Sequence, residues 1–251
     1  MIRRENCNGW IIISQTDHST LSGELMKYWG NEYFPKPDPC EEVLFAVREH
    51  DNGWREWEQN PGINNINKYP RNFLEMTYKE QSEIWRRSFL RFSQSHPYAS
   101  SLIALHFDKF NNNICKSNSK ALQLKTEISD FVYKNLHMTT GEIENGSDIL
   151  RNLKYVQIGD IISLALCHGW KTVKLEDIPL YPEKGNTLIN LQSTDAVSYN
   201  LHPYPFSRSD IKLSVPAKYL PKKTFSGSRE LLEFINKSPS TRLSFNISNI
   251  Q

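Results

Sequence analysis

A histidine and an aspartate stand side by side in REHDNGWREWE, residues 48–58. His50 and Asp51 offer an imidazole nitrogen and a carboxylate oxygen, which are ligands that iron, manganese and zinc accept. Gly53 indicates that the helix bearing the pair ends here, because glycine permits a turn that other residues resist. Two consecutive side chains at a helix end can reach one metal ion, so the segment favours a metal site with further ligands elsewhere in the chain.

Three other predicted helices each place one potential ligand on an apolar stripe. His18, His106 and Asp160 lie three or four residues from apolar residues of their own helices, and this spacing turns them towards the core. A buried carboxylate is costly unless a cation or hydrogen bonds compensate it. The pattern therefore predicts that Asp160 and His18 join His50 and Asp51 as metal ligands, with His106 close to them.

These ligands belong to a chain whose first two-thirds has helical periodicity. The sequences SQTD at 14–17 and TYKE at 77–80 have the form of capping boxes. Pro97 suits the first turn of another helix. The pattern predicts helices at residues 14–29, 41–51, 77–92, 97–110, 118–137 and 147–168.

From about residue 180 the pattern changes to short alternating segments that are typical of strands. Only SRELLEFINK has helical periodicity in this part. The sequence thus predicts a mainly α fold, with a helical domain at residues 1–178 and a small β-rich appendage at residues 179–251 packed on it. The segments predicted as strands are TLINLQ, VSYNL, IKLSVP and TRLSFNI.

Composition excludes several classes of protein. The 251 residues contain 30 Lys and Arg against 28 Asp and Glu, a net charge of only +2, which gives no field for binding nucleic acid or an anionic membrane. Apolar runs such as WIIIS are too short to span a bilayer, and MIRRENCNGW lacks the apolar stretch of a secretory signal. The four cysteines are scattered and form no CxxC pair. We expect a soluble cytoplasmic protein that acts on a small molecule, and its oligomeric state stays open.

The order of the candidate ligands resembles the signature of the HD-domain superfamily. That signature is a histidine, then a His-Asp pair, then a distant aspartate, and SQTDHSTLSGEL, VLFAVREHDNGW and LKYVQIGDIISLALC resemble its three helices. More narrowly, GWIIISQTDHSTLSGELMKYWG, HDNGWREWE and SLIALHF together are similar to a bacterial HD-like family catalogued as a domain of unknown function. The resemblance covers most of the chain.

The resemblance implies an all-α, HD-domain-like helical bundle with one or two ions of iron, manganese or zinc. It implies hydrolysis of a phosphate ester or nucleotide by metal-activated water, with Asp51 and His106 as catalytic residues. Two departures stand out. Trp54 occupies a position where many HD phosphohydrolases have Lys or His, and Arg55 is the substitute for contacting phosphate. Binuclear members have two further histidines; His106 fits one, and His96 is the candidate for the other.

Other interpretations stay open. The segment QTDHS resembles HD-fold di-iron oxygenases of small polyols or phosphonates, which is a second hypothesis. A third hypothesis is a non-catalytic HD-like protein that binds a ligand or partner. Each residue also has a structural interpretation. His18 could bond a backbone carbonyl, Asp160 could bond a helix cap, and His50 with Asp51 could simply end a helix.

Overall fold

The structure is a computed structural model that describes residues 1–7, 9–115, 118–140, 146–181 and 184–249. Its helices in these ranges are α1 (Gln15–Met26), α2 (Cys40–Glu49), α3 (Arg55–Glu58), α4 (Tyr78–Leu90), α5 (Pro97–Cys115), α6 (Ser119–Thr140), α7 (Gly146–His168) and α8 (Ser228–Lys237). Its strands are β1 (Ile2–Asn6), β2 (Gly9–Ile13), β3 (Thr172–Pro179), β4 (Asn186–Ser193), β5 (Ser198–His202), β6 (Asp210–Pro221) and β7 (Ser240–Ser248).

The strands form one seven-stranded sheet in the order β1-β2-β6-β7-β5-β4-β3. Its neighbours are antiparallel except β5 and β7, which are parallel. In the pairing of β2 with β6, Trp10 lies opposite Leu220 and Ile12 opposite Lys218. The N-terminal hairpin therefore joins a strand that begins about two hundred residues later in the chain.

The prediction of a mainly α, HD-like helical bundle is wrong, and so is the description of the chain as all-α. A seven-stranded sheet lies beside the helices, and two of its strands come from the N-terminus. All five residues of β2 are buried, so the strand has the continuous apolar run of a covered strand and no alternation. Periodicity cannot distinguish such a run from a buried helical segment. The strand β3 was likewise not predicted.

The local predictions in the β region agree with the structure. SRELLEFINK is the helix α8, and the four alternating segments are the strands β4, β5, β6 and β7. The division into domains at residue 178 stays a prediction. Strands from both sides of that residue lie in one sheet, and one apolar core contains residues from both sides, among them Ile13, Leu25, Ile162 and Phe245.

Both predicted capping boxes lie at helix starts. The side chain of Ser14 accepts a hydrogen bond from the backbone N–H of Asp17 at the start of α1. Thr77 and Glu80 bond reciprocally at the start of α4, and α5 begins at Pro97 as predicted. Helix α1 ends at Met26 rather than Trp29, and α2 ends at Glu49, so that His50 caps the helix and Asp51 lies just beyond it.

Helices α1, α2, α5 and α7 pack against one another and place the candidate ligands in the middle of the molecule. Helix α1 also contacts β6, and α7 contacts β1 and β3, so the sheet supports the outer sides of the same helices. The packing fixes the direction in which these helices present their polar side chains.

Candidate metal centre

The structure brings the predicted ligands together from three helices. His18 is on α1, His50 and Asp51 are at the end of α2, and Asp160 is on α7. His106 approaches them from α5. All five side chains are buried, and the relative exposure of His18 is 0%. Polar groups so deep in a core require partners or a ligand, because their lost hydration must be replaced.

Two glycines allow the helices to approach closely enough for this convergence. A Cβ atom on Gly159, next to Asp160, would lie 2.5 Å from Ser22 Oγ on α1 and 2.8 Å from Val47 Cγ1 on α2. A Cβ atom on Gly53 would lie 2.1 Å from the carbonyl oxygen of Ile84 on α4. The glycine after the His-Asp pair is therefore needed for the contact with α4, rather than for the turn that the sequence suggested.

The distances between the imidazole nitrogens and the carboxylate oxygens are those of ligands around one ion. His18 Nε2 lies 3.2 Å from Asp51 Oδ2 and 3.5 Å from Asp160 Oδ1. His50 Nε2 lies 3.7 Å from Asp51 Oδ2 and 3.5 Å from Asp160 Oδ1. Ligands at roughly 2.1 Å from a metal with tetrahedral angles are about 3.4 Å apart. The four distances fit that spacing.

Hydrogen bonds at the Nδ1 atoms of His18 and His50 orient both rings so that their Nε2 atoms face the centre. His50 Nδ1 donates to the carbonyl oxygen of Val47 at 2.8 Å. His18 Nδ1 lies 2.8 Å from Ser163 Oγ, whose single hydrogen goes to the carbonyl oxygen of Asp160. Ser163 therefore accepts the Nδ1 proton of His18. In the neutral rings both Nε2 atoms then have free lone pairs, as metal-ligating histidines do.

His106 occupies a different position in the centre. Its Nε2 lies 3.4 Å from Asp160 Oδ2, the oxygen that does not face His18 and His50. Its Nδ1 is buried without a hydrogen-bond partner among the described residues. His50, His106 and Asp160 form a second group with metal-ligand spacing, beside the group of His18, His50 and Asp51. Asp160 thus links His106 to the other ligands through its two oxygens.

The charges of the centre favour a cation. Burial opposes the charged form of His50, but the carboxylates of Asp51 and Asp160 outweigh it and raise the pKa of His50 to about 9. Burial would also raise the pKa of Asp160, yet its hydrogen bond to His50 and the neighbouring imidazoles hold that pKa well below its usual range. Burial lowers the pKa of His106 to about 4, so that ring is neutral at neutral pH. Without an ion, His50 therefore has a proton at neutral pH, and a divalent ion that displaces this proton would balance the charges of the two carboxylates.

Two residues of the centre were not found from the sequence. Gln15 is buried and its Nε2 donates to Asp51 Oδ2 at 3.2 Å, while its Oε1 is buried and makes no hydrogen bond within the described part of the chain. Ser163 orients His18. Both lie three residues from a candidate ligand on the same helix, Gln15 before His18 and Ser163 after Asp160. That spacing was a usable signal, because residues three apart share a helix face.

Two other candidates lie outside the centre. His96 Nδ1 lies 2.7 Å from Glu42 Oε1, and its ring stacks on Phe45 with centroids 3.7 Å apart. It is a partner of α2 and not a further residue of the centre. Arg55, the expected substitute for a phosphate-binding residue, is paired with Glu49 at 2.6 Å. Trp54 does line the cavity beside the centre.

A cavity of about 460 Å³ opens onto this centre. His50, Asp51, His106 and Asp160 lie in its wall, and most of the remaining lining is aromatic or aliphatic. A buried polar cluster at the wall of an apolar cavity is typical of a site that binds and transforms a small molecule.

The protein is of a mixed α and β class. Its helical core surrounds a buried His-Asp cluster and packs beside a seven-stranded sheet. Residues 1–222 match the family model described as a protein of unknown function, DUF3891, and the chain belongs to that family. No curated protein and no solved structure is detectably similar to the chain. Among the helices of the described ranges, none combines the length and the apolar character needed to cross a membrane.

Proposed function

We propose that the protein is a metal-dependent hydrolase of a phosphate ester or nucleotide. The observation that supports the proposal most is the set of four nitrogen-to-oxygen distances of 3.2–3.7 Å that join His18 and His50 to Asp51 and Asp160. Nitrogen and oxygen ligands without thiolate suit iron, manganese or zinc. The buried second group, which adds His106, supports a place for a further ion.

The order of the residues along the chain supports a relation to the HD-domain superfamily at the site. His18, the pair His50–Asp51 and Asp160 follow one another as in that superfamily. We propose this relation for the metal centre and its helices, and not for the seven-stranded sheet. Phosphate-ester hydrolysis takes first place because it is the commonest activity of the superfamily, which is an argument from analogy.

The residues of the centre have separate roles in the proposed reaction. His18, His50, Asp51 and Asp160 would hold the ion, and the carbonyl of Val47 and the hydroxyl of Ser163 keep the two rings in the ligating tautomer. The chemistry that such an ion supplies is Lewis acidity, which makes water a nucleophile near neutral pH. His106 is neutral and has a free Nδ1, so it can accept a proton from water or from the substrate. The carboxylates of Asp160 and Asp51 would balance the positive charge that develops on His106.

A di-iron oxygenase is the second candidate. The observation that favours it is the presence of two three-residue groups that share His50, since oxygen chemistry of this kind uses two ions close together. A binding protein without catalysis is the third interpretation and predicts neither activity.

One purification separates these proposals. Protein prepared without chelator is analysed for metal, then assayed with p-nitrophenyl phosphate and, separately, for oxygen consumption. We expect stoichiometric metal, phosphatase turnover, and loss of both on Asp160→Asn. Oxygen consumption without phosphatase turnover would replace the hydrolase with the oxygenase. Absence of bound metal would overturn the metal-dependent function altogether.

A further inference from the structure

Two cavities meet at the candidate metal centre. The cavity of about 460 Å³ and a second one of about 320 Å³ share His106, Phe110 and Asp160 in their walls. A molecule placed at His106 and Asp160 could therefore extend in two directions. The two cavities have different linings, so they would accept different parts of such a molecule.

The larger cavity suits an apolar, planar group. Beyond the polar residues of the centre, its wall contains the rings of Trp54, Trp85, Phe107, Phe110 and Trp170. Phe110 is 44% exposed and Trp170 is 39% exposed, so apolar surface faces water at this cavity. Covering such surface with an aromatic or aliphatic group is favourable, and aromatic rings add stacking.

The smaller cavity has three lysines in its wall, Lys109, Lys154 and Lys174. Lys154 is half-buried and has neither an ion pair nor a hydrogen bond among the residues that the structure describes. Burial lowers its pKa, and the charge of Lys109 lowers it further. Two lysines that repel each other beside a cavity are stabilised when an anion binds between them.

Besides Asp160, whose oxygens face His50 and His106, the smaller cavity has two acidic residues in its wall, Glu176 and Asp177. Glu176 and Asp177 are both exposed, and their charges raise the pKa of Lys154 less than burial and Lys109 lower it. Lys109 Nζ donates to the neutral side chain of Gln157 at 3.1 Å and makes no ion pair within the described ranges. Neither Lys109 nor Lys154 is therefore neutralised by a direct carboxylate contact.

We propose that the substrate of the proposed hydrolase has two ends, an anionic group held by Lys109 and Lys154 and an aromatic or apolar group held in the larger cavity. This inference rests on the proposed function, because it places the reacting bond at His106 and Asp160 between the two cavities. The anionic group is a phosphate, a phosphonate or a carboxylate, which share the oxygen acceptors that lysine binds.

Binding of small phosphonates tests the inference without turnover. Phenylphosphonate has both ends, methylphosphonate lacks the ring, and benzoate replaces the phosphonate with a carboxylate. Affinities are measured by calorimetry on the intact chain, with metal bound and after chelation. We expect Lys109→Gln with Lys154→Gln to weaken phenylphosphonate about tenfold or more. The matched control Lys134→Gln, at an exposed lysine of α6 outside both cavities, leaves the affinity unchanged.

The aromatic end has its own variant. Trp170→Ala should weaken the binding of phenylphosphonate and leave that of methylphosphonate unchanged, because Trp170 lines the larger cavity and not the smaller one, and only phenylphosphonate places a ring against it. The comparison of phenylphosphonate with benzoate shows which anion the lysines prefer. The inference is overturned if wild-type protein does not bind phenylphosphonate, if the lysine variant binds it equally well, or if methylphosphonate binds as tightly.

Failure of the proposed function would give a different pattern. Wild-type protein would then contain no metal and show no phosphatase turnover, whereas the dependence on Lys109 and Lys154 would still be measured in the metal-free protein. Conversely, the protein could contain metal and show phosphatase turnover while its affinity for phenylphosphonate is the same with and without both lysines. That result would support the proposed function and overturn only the two-ended substrate.

Discussion

Two charged clusters in this molecule differ in how their charges are compensated. At the start of α4, Glu80 accepts two hydrogen bonds from Arg71, at 2.7 and 2.8 Å, and two from Thr77. In the candidate metal centre, the carboxylates of Asp51 and Asp160 face the Nε2 atoms of His18 and His50, whose Nδ1 atoms are hydrogen-bonded to other partners. The first cluster compensates its own charges and stabilises a loop and a helix start.

The difference shows how a structural charge can be told from a functional one. Glu80 has a donor for each of its oxygens, so its pKa is lowered to about 2, chiefly by hydrogen bonds from Arg71. In the centre, the pKa of His50 is raised to about 9, since only a positive charge relieves the carboxylates that face it. A cluster that requires an additional cation is suited to binding one, whereas a cluster with matched partners is suited to stability.

Among substitutions in the two clusters, Asp51→Asn should have the largest effect, which is a loss of metal binding. The substitution keeps the size of the side chain but removes one of the two carboxylates that balance a divalent ion. We expect metal occupancy to fall sharply while the helices survive, measured by elemental analysis beside circular dichroism. Asp130→Asn, at an exposed aspartate of α6, is the control. Unchanged metal content in the Asp51 variant would remove this residue from the ligand set.

His106 provides the next test, because it is the histidine of the centre without an anchored Nδ1. If it transfers a proton, His106→Gln should lower phosphatase turnover roughly 10²- to 10⁴-fold and leave the metal bound to the other four residues. His96→Gln, at the histidine paired with Glu42, should leave turnover unchanged. Loss of metal in the His106 variant would instead make this residue a ligand.

A smaller effect is expected from Ser163→Ala, which removes the acceptor that holds the ring of His18. Outer partners of this kind contribute roughly 10- to 100-fold to metal affinity. The affinity is measured by competition with a chelator. Ser100→Ala is the matched control, because Ser100 is buried and its hydroxyl makes no hydrogen bond with the described residues. Equal affinities of the two variants would show that the bond to His18 has no role in metal binding.

The cluster of Glu80, Arg71 and Thr77 at the start of α4 gives the smallest expected change, which is in the free energy of unfolding. Glu80→Gln should cost about 1 kcal/mol of unfolding free energy at pH 7, as the loss of a helix cap does. Glu80 has its pKa lowered from 4.5 to about 2 in the folded chain, so its stabilisation is complete above the ordinary value and is lost as the pH falls towards 2. Urea unfolding at pH 7 and pH 3 measures this. A difference between variant and wild type that is the same at pH 3 as at pH 7 would contradict the ion-pair account.

The sequence by itself determined the features that depend on neighbours along the chain. The helical spacing of apolar residues predicted that His18, His106 and Asp160 face the core. The capping boxes at Ser14 and Thr77 predicted two helix starts. These signals are local, because hydrogen bonds and faces of a helix repeat every three or four residues. Alternation gave the four C-terminal strands for the same reason.

Only the tertiary structure decided how distant segments combine. The pairing of β2 with β6 made the fold a sheet-containing one, and no local pattern in five apolar residues encodes a partner two hundred residues away. The close approach at Gly159, the bond from His18 to Ser163, and the position of Lys154 beside the cavity are also contacts between separate elements. Such contacts depend on the packing of whole helices against one another, so the sequence could name residues of the centre but not the distances between them.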